Sequence, residues 1–222
     1  MADVKPLRHG YTNSTLTDGR VVTKTYLGPD AEGRQATEEL ALRRLAGLLP
    51  VPALVSSTPG TCTTAWVAGQ PGQEAIEVGR AADVLHACGV LLNQLQQVDP
   101  SLLFERAEGT LVHNDFGPNN VLMRPDLSGV QLLCDWEWVA VGDRYTDLAW
   151  AEWIVREHHP YATDALPALF EGYMDRPPWR VRQAAMARRA GQHREFVRRW
   201  HGSAAIWDNR IAAILAWPEL GN

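Results

Sequence analysis

The sequence predicts an α+β fold in two lobes: a small N-terminal antiparallel sheet with one helix, and a mostly helical C-terminal lobe. Three observations predict it. Short strand-like runs parted by turn signals fill residues 1–68, with one helical stretch among them. A breaker cluster, Gly69-Gln70-Pro71-Gly72, follows. From Gly79 onward the apolar spacing is helical, apart from two short strands within 111–136. The lobes are therefore expected at 1–68 and 69–222, with a hinge at about 65–72.

Composition agrees with a globular chain. The 222 residues are 45% hydrophobic and 21% charged, enough for one sizeable core or two small ones. A net charge of −5 gives no reason to expect a nucleic-acid surface. No apolar run approaches the ~18 residues of a membrane span, so no membrane partner is expected. The opening MADVKPLRHGYT lacks the apolar stretch of a signal peptide, so a cytoplasmic location is expected. Cys62, Cys88 and Cys134 are odd in number, far apart and without zinc spacing; they are read as reduced, buried small hydrophobes. A monomer or weak homodimer is expected.

The elements follow in order. Residues 1–20 read as strand, small-residue loop at 10–15 and strand, ending in the hairpin signal Asp18-Gly19. In the next strand, 21–26, alternation puts Val22, Lys24 and Tyr26 on one face. Only Lys5 and Lys24 among 21 basic residues are lysine, so a lysine inside a strand draws attention. After Gly28-Pro29, Asp30 is read as the N-cap of a helix over 31–48. Glu38 shares its apolar stripe with Leu42, Leu45 and Leu49, and an inward carboxylate needs a partner, for which Lys24 is the candidate. PVPALV and TCTTAWVA, parted by Pro59-Gly60, close the small sheet. Leu85, Cys88, Leu92 and Leu95 mark a helix over 79–98, stopped by Asp99-Pro100. Strands are expected at 111–113 and 130–136. Helices are expected at 145–158, 163–174, 181–200 and 203–216, broken at Pro160 and at Pro177-Pro178.

The stretch from Leu111 to Glu137 carries the chemistry. It places His113, Asp115 and Asn120 on one loop and Asp135 at the end of the next strand. Phosphoryl transfer asks a protein for a carboxylate facing the attacking hydroxyl, oxygen ligands for magnesium and a cation on the phosphates that stay behind. Asp115 suits the first task and Asn120 with Asp135 the second. Glu137 reads either as a further metal ligand or as a salt-bridge partner. His113 reads as a buttress of the loop. The pair His158-His159 has no third ligand spaced for a metal and reads as helix-end surface. No GxSxG or Rossmann fingerprint is present.

HNDFGPNN matches H-x-D-x-x-x-x-N, the catalytic loop of the kinase fold. CDWEWVAVGDRYTDLAW resembles the second signature of the aminoglycoside phosphotransferase and choline kinase superfamily. That resemblance implies a protein-kinase-like fold whose N-terminal lobe binds nucleotide. It implies a kinase that phosphorylates hydroxyls of small molecules, with ATP (or GTP) and Mg2+. It makes Asp115 the catalytic base and Asn120 and Asp135 the metal ligands. Lys24 would hold the α- and β-phosphates and pair with Glu38, Ala65, Trp66 and Val67 would meet the base, and Asp147 would anchor the loop. Position 114 departs from the family pattern, with Asn where Gly is frequent.

The acceptor is read less sharply. An aminoglycoside-type antibiotic is expected first, with a choline- or ethanolamine-type amine or another small metabolite as the alternative. A nucleotide-binding pseudokinase is the non-enzymatic reading. Residues 1–150 carry 11 basic and 18 acidic groups, and residues 151–222 carry 10 and 8, so the helical tail is not acidic overall. Glu152, Glu157, Asp164, Glu171 and Asp175 could still form a local acidic wall. Of nine tryptophans only Trp66 precedes Trp136; those at 136, 138, 150 and 153 read mostly as core.

Overall fold

A computed structural model describes residues 5–6, 12–105 and 107–220. Part of the predicted loop at 10–15 (residues 10 and 11) lies outside them, as do residues 1–4 and 7–9 of the predicted N-terminal strand and loop. The chain is α+β, with antiparallel sheets and seven α-helices among the described residues.

The first sheet has five strands: β1 (Lys5–Pro6), β2 (Ser14–Thr17), β3 (Val21–Thr25), β4 (Leu54–Thr58) and β5 (Thr61–Ala65), ordered β1-β2-β3-β5-β4. The β2–β3 turn is the one Asp18-Gly19 predicts: Gly19 takes φ 81°, and Asp18 Oδ1 accepts from the N–H groups of Arg20 and Val21 at 2.9 Å each. β3 is central, so Lys24 sits opposite Thr15 on one side and Cys62 on the other.

Helix α1 (Ala31–Arg44) crosses between β3 and β4 in the chain. It is tied to the sheet by Gln35, whose Nε2 donates to Thr58 O at 2.7 Å and whose Oε1 accepts from Gly60 N at 2.8 Å. It ends four residues before the predicted Leu48. Gly47, at φ 81°, ends the helical run, while Leu45 O still accepts from Leu48 N and Leu49 N at 3.0 Å and both leucines stay buried. The capping expectation for Asp30 is corrected too. Asp30 stands at the N-cap but makes no side-chain cap; its carboxylate takes both ends of the Arg199 guanidinium, at 2.8 and 3.0 Å.

After Ala65 the chain leaves this sheet. The predicted breaker cluster holds structure of its own: β6 (Gln70–Pro71) joins a second sheet, and α2 (Gly72–Glu77) starts at once. Helix α3 (Ala81–Leu95) is shorter at both ends than the predicted 79–98. β7 (Thr110–Val112) enters the central loop, β8 (Val121–Met123) leaves it, and β9 (Val130–Leu133) follows. β6, β8 and β9 form one sheet; β7 pairs with β10 (Ala140–Gly142) in another. β9 stops three residues short of the predicted end at Trp136, so Asp135 lies beyond the strand. It takes the left-handed φ of 67° at the entry to a 3-10 turn, Trp136–Trp138.

The remaining helices are α4 (Thr146–His158), α5 (Leu166–Tyr173), α6 (Trp179–His201) and α7 (Ala205–Ala216). The predicted helix 163–174 is split, since Pro160–Ala165 form a 3-10 turn before α5. Helices α3 and α5 touch backbone to backbone at two glycines. A Cβ on Gly89 would lie 2.2 Å from Leu169 O, and one on Gly172 2.2 Å from His86 O. The larger apolar core joins α1, α3, α5 and the second sheet; a smaller one joins α4, α6 and α7. No helix among the described residues is long and apolar enough to cross a membrane. All three cysteines are free; Cys62 and Cys88 are buried, but Cys134 is only half-buried.

Candidate active site

Lys24 reaches from the middle of β3 to three carboxylates. Its Nζ donates to Glu38 Oε2 at 2.6 Å, lies in a short contact with Asp135 Oδ1, and stands 3.7 Å from Glu137 Oε2. The Lys24–Glu38 pair is the partner that the α1 stripe called for. Tyr26 donates its hydroxyl to the same Glu38 oxygen at 2.6 Å, and Trp136 N donates to the other at 3.3 Å. Burial works against the Lys24 charge, but Asp135, Glu38 and Glu137 outweigh it and push the Lys24 pKa up. Asp135 moves the other way: burial would raise its pKa, and Lys24 more than reverses that.

Glu137 is placed behind this group. It is buried, accepts from Asn13 Nδ2 at 3.0 Å on both oxygens, and pairs with Arg34 Nη1 at 2.6 Å. Burial and the Asp135 charge push its carboxyl up to about 7, against the pull of Lys24 and Arg34. Of its two sequence readings, the salt bridge is the contact seen. Oxygen atoms of Glu38, Asp135 and Glu137 all lie within 4.8 Å of one another, the one grouping of metal-ligating residue types among the described residues. His159, read from the sequence as a helix-end surface residue, is instead buried, with Nδ1 3.2 Å from the Tyr161 hydroxyl.

The loop after β7 is held from below. Asp147 Oδ2 and Oδ1 accept from the backbone N–H groups of His113 and Asn114 at 2.6 and 2.8 Å. His113, fully buried, accepts from Asp115 N on Nδ1 at 3.2 Å, which leaves Nε2 to donate to Cys134 O at 2.9 Å. Burial pulls His113 down to about 4. These are the hydrogen bonds of a neutral buttress. Asn114, the departure from the family pattern, takes φ 65° and donates Nδ2 to Trp138 O at 2.9 Å.

The Asp115 carboxylate, half-buried, receives a donor on each oxygen: Trp150 Nε1 on Oδ1 at 3.0 Å and Asn120 Nδ2 on Oδ2 at 2.8 Å. Burial, then the Asp135 charge, push it up to about 6, opposed by Arg189, Trp150 and Asn120. Asn120 also reaches Asp115 O at 2.7 Å, so in this structure its amide nitrogen is turned to Asp115; its Oδ1 accepts no hydrogen bond among the described residues. The backbone of Asn120 meets the end of β9, with Cys134 N donating to Asn120 O at 2.8 Å, so Asn120 and Asp135 are neighbours.

A cavity of about 490 Å³ opens between the first and second sheets. Val22 and Lys24 line it from above, Leu122 and Leu132 from below. Ala65, Trp66 and Val67 form part of its wall, and Asn120 and Asp135 line it too. Glu137 does not. Sequence reasoning missed Asn13, Arg34, Leu122, Leu132, Trp150 and Arg189. For two of them a signal existed: Arg34 precedes Glu38 by four residues on the same stripe, and Trp150 follows Asp147 by three on α4.

Of the five acids weighed for an acidic wall in the tail, three are engaged by other groups. Glu152 is buried between Arg156 (2.8 Å) and Arg182 (2.5 Å), Glu157 pairs with Arg210 at 2.9 Å, and Asp175 accepts from Tyr145 at 3.0 Å. The tryptophans are occupied as well: Trp150 and Trp153 stack at 4.1 Å, with Trp207 beside them, all three buried.

Residues 102–200 match the model of the phosphotransferase enzyme family. No curated protein sequence matches the chain. Several solved structures share its fold. One is the GDP complex of an aminoglycoside 2'-phosphotransferase, at TM-score 0.72 and 13% identity, covering 96% of this chain and 92% of that one. A macrolide 2'-phosphotransferase from Brachybacterium faecium follows at 0.65 and 17%, covering 98% and 93%. A choline/ethanolamine kinase family protein from Mesorhizobium loti superposes at 0.67 and 15%, covering 97% and 89%. The chain thus resembles the aminoglycoside phosphotransferase and choline kinase-like family in fold throughout, and in sequence over the stretch that holds the loop and the metal-ligand candidates.

Proposed function

We propose that this chain, folded like those kinases, transfers the γ-phosphate of ATP, or of GTP, to a hydroxyl of a small molecule. The observation that carries the reading is the meeting of Lys24, Glu38, Asp135 and Asn120 at one cavity, with Asp115 joined to Asn120. The nucleotide base lies between Val22 and the Leu122–Leu132 floor, against the backbone of Ala65, Trp66 and Val67, and the chain from 65 to 72 is the hinge. Lys24, steered by Glu38, holds the non-transferred phosphates. Asp115 takes the proton of the attacking hydroxyl.

Magnesium wants few, hard oxygen ligands. The Asp135 carboxylate and the Asn120 Oδ1, which accepts no hydrogen bond among the described residues, fit it, and once bound it would neutralise phosphate charge. Arriving phosphates take over the Lys24 ammonium and release Asp135. Glu137, with both oxygens engaged by Asn13 and Arg34, keeps a structural role.

For the acceptor, an aminoglycoside-type compound is the reading that the neighbouring structures suggest. The Arg-paired acids and the occupied tryptophan faces favour a second reading, a hydroxylated compound of lower positive charge. A coupled assay of ATP and Mg2+ against aminoglycosides, choline-like amines and weakly charged hydroxylated antibiotics tests both. Transfer to at least one class is expected, and loss of it in Asp115→Ala with nucleotide still bound. Nucleotide binding without transfer or hydrolysis under any condition would leave a pseudokinase instead.

A further inference from the structure

We propose that Trp150 is a positioning residue for Asp115, its indole N–H fixing the direction in which the carboxylate faces the acceptor hydroxyl. The inference rests on the phosphotransferase reading above. Asp115 has two fixed donors, one per oxygen. Asn120 comes from the same loop and has a second task at the metal. Trp150 comes from outside the loop, on α4, the helix whose Asp147 grips the loop backbone. The helix that sets the loop's height thus also sets the carboxylate's rotation.

The indole is held firmly enough for that. It is 1% exposed and stacked on two rings, Trp153 at 4.1 Å and 13° and His193 at 5.1 Å and 16°. A ring pinned in this way cannot turn its N–H from Asp115 without moving α6, which carries His193. Arg189, also on α6, donates Nε to Asn114 O in a short contact, so the same helix closes over the loop from the other side. One accepted hydrogen bond on Oδ1 still leaves a lone pair for the substrate hydroxyl. The carboxylate therefore arrives oriented, and less of the barrier goes into aligning it.

Trp153 supplies the control. It lies in the same stack, and its own buried Nε1 has no hydrogen-bond partner among the described residues. Both Trp150→Phe and Trp153→Phe shrink a ring; only the first removes a donor from Asp115. The experiment measures phosphate transfer and acceptor-free ATP hydrolysis for the two variants, with the indole N–H resonances recorded by NMR. Trp150→Phe should lose about tenfold or more in kcat with the nucleotide KM unchanged, while Trp153→Phe stays within about twofold of the parent. In Asp115→Asn the Trp150 indole resonance should move and that of Trp153 should not. Equal losses in the two tryptophan variants would reduce Trp150 to packing and overturn the inference. If the parent protein neither transfers nor hydrolyses while the resonance still responds to Asp115→Asn, the phosphotransferase reading is what fails, and the inference falls with it.

Discussion

A carboxylate without solvent must find cations or donors, and the three acids around Lys24 do so in different ways. Glu38 was legible because it sat on the apolar stripe of a helix, where a charge demands a partner. Glu137 was not, because its partners come from residues 103 and 124 positions away, Arg34 and Asn13. The geometry separates the two roles its sequence allowed. Removing one member of a buried pair costs about 3–5 kcal/mol, since the other charge is left stranded. Glu137→Ala should therefore lower thermal stability by that order with and without Mg2+; a loss seen only when Mg2+ is present would return Glu137 to the metal. Asp147 offers a pH test. Burial raises it to about 6 from 3.8, against the pull of the His113 and Asn114 N–H groups. Between those values the native state holds more protons than the unfolded one, so this group makes stability fall as pH rises from about 4 to 6. His113, pulled down to about 4, acts in the opposite sense over nearly the same range. Denaturation of Asp147→Asn from pH 4 to 7 should show the slope shifted toward the His113 direction relative to the parent.

Elements were legible in proportion to their length. Helices of a dozen residues or more repeat their stripe several times, and α3, α4, α6 and α7 stand close to where periodicity puts them. β6, β8 and β10 have two or three residues each, too few for alternation to show, and the β6–β8 and β7–β10 pairings join strands far apart in the chain. Asp135 was misplaced onto a strand for a related reason: the apolar run continues past Leu133, but the backbone turns left-handed at Asp135. Glycine placement gives a test of helix packing with opposite signs. On α3, Gly89 admits the backbone of α5, so Gly89→Ala should destabilise by about 1–3 kcal/mol through overpacking. On α6, Gly191 has no atom of the described residues within 4 Å of where a Cβ would stand. Gly191→Ala should stabilise by about 0.5–1 kcal/mol, since alanine loses less chain entropy in a helix. Urea melts of the two variants read the signs directly, and a stabilised Gly89→Ala would contradict the close α3–α5 contact.

On the scale of the whole molecule, the site exists only while two separate sheets face each other. Lys24 belongs to the first; Asn120 and Asp135 flank the second. The covalent link between them is residues 66–69; of the predicted breakers only Gly69 falls in it, since Gln70–Pro71 form β6 and Gly72 starts α2. A second joint was not legible in the sequence. The end of α6 reaches across to the N-terminal lobe: Trp200 packs on Gly28, Arg199 pairs with Asp30, and Phe196 lies 5.3 Å from the Arg34 guanidinium. Its parts differ in weight. The Arg199–Asp30 pair is exposed, and such pairs contribute about 0–1 kcal/mol. Trp200 is different, because Gly28 has no side chain to hold the ring away and a Cβ there would lie 2.6 Å from it. Asp30→Ala should therefore leave nucleotide affinity nearly unchanged, whereas Trp200→Ala should weaken it by letting the lobes part. Ligand that binds only the folded, closed state stabilises it by RT ln(1 + [L]/Kd), about 2.7 kcal/mol at a hundredfold excess over Kd. Thermal melts of each variant across an ATP–Mg2+ titration separate the two. Trp200→Ala should need more nucleotide for the same rise in Tm, and Asp30→Ala should follow the parent curve. Parent-like curves for both would mean that the lobes are held by the Lys24–Asp135 and Arg34–Glu137 contacts alone, with α6 a bystander.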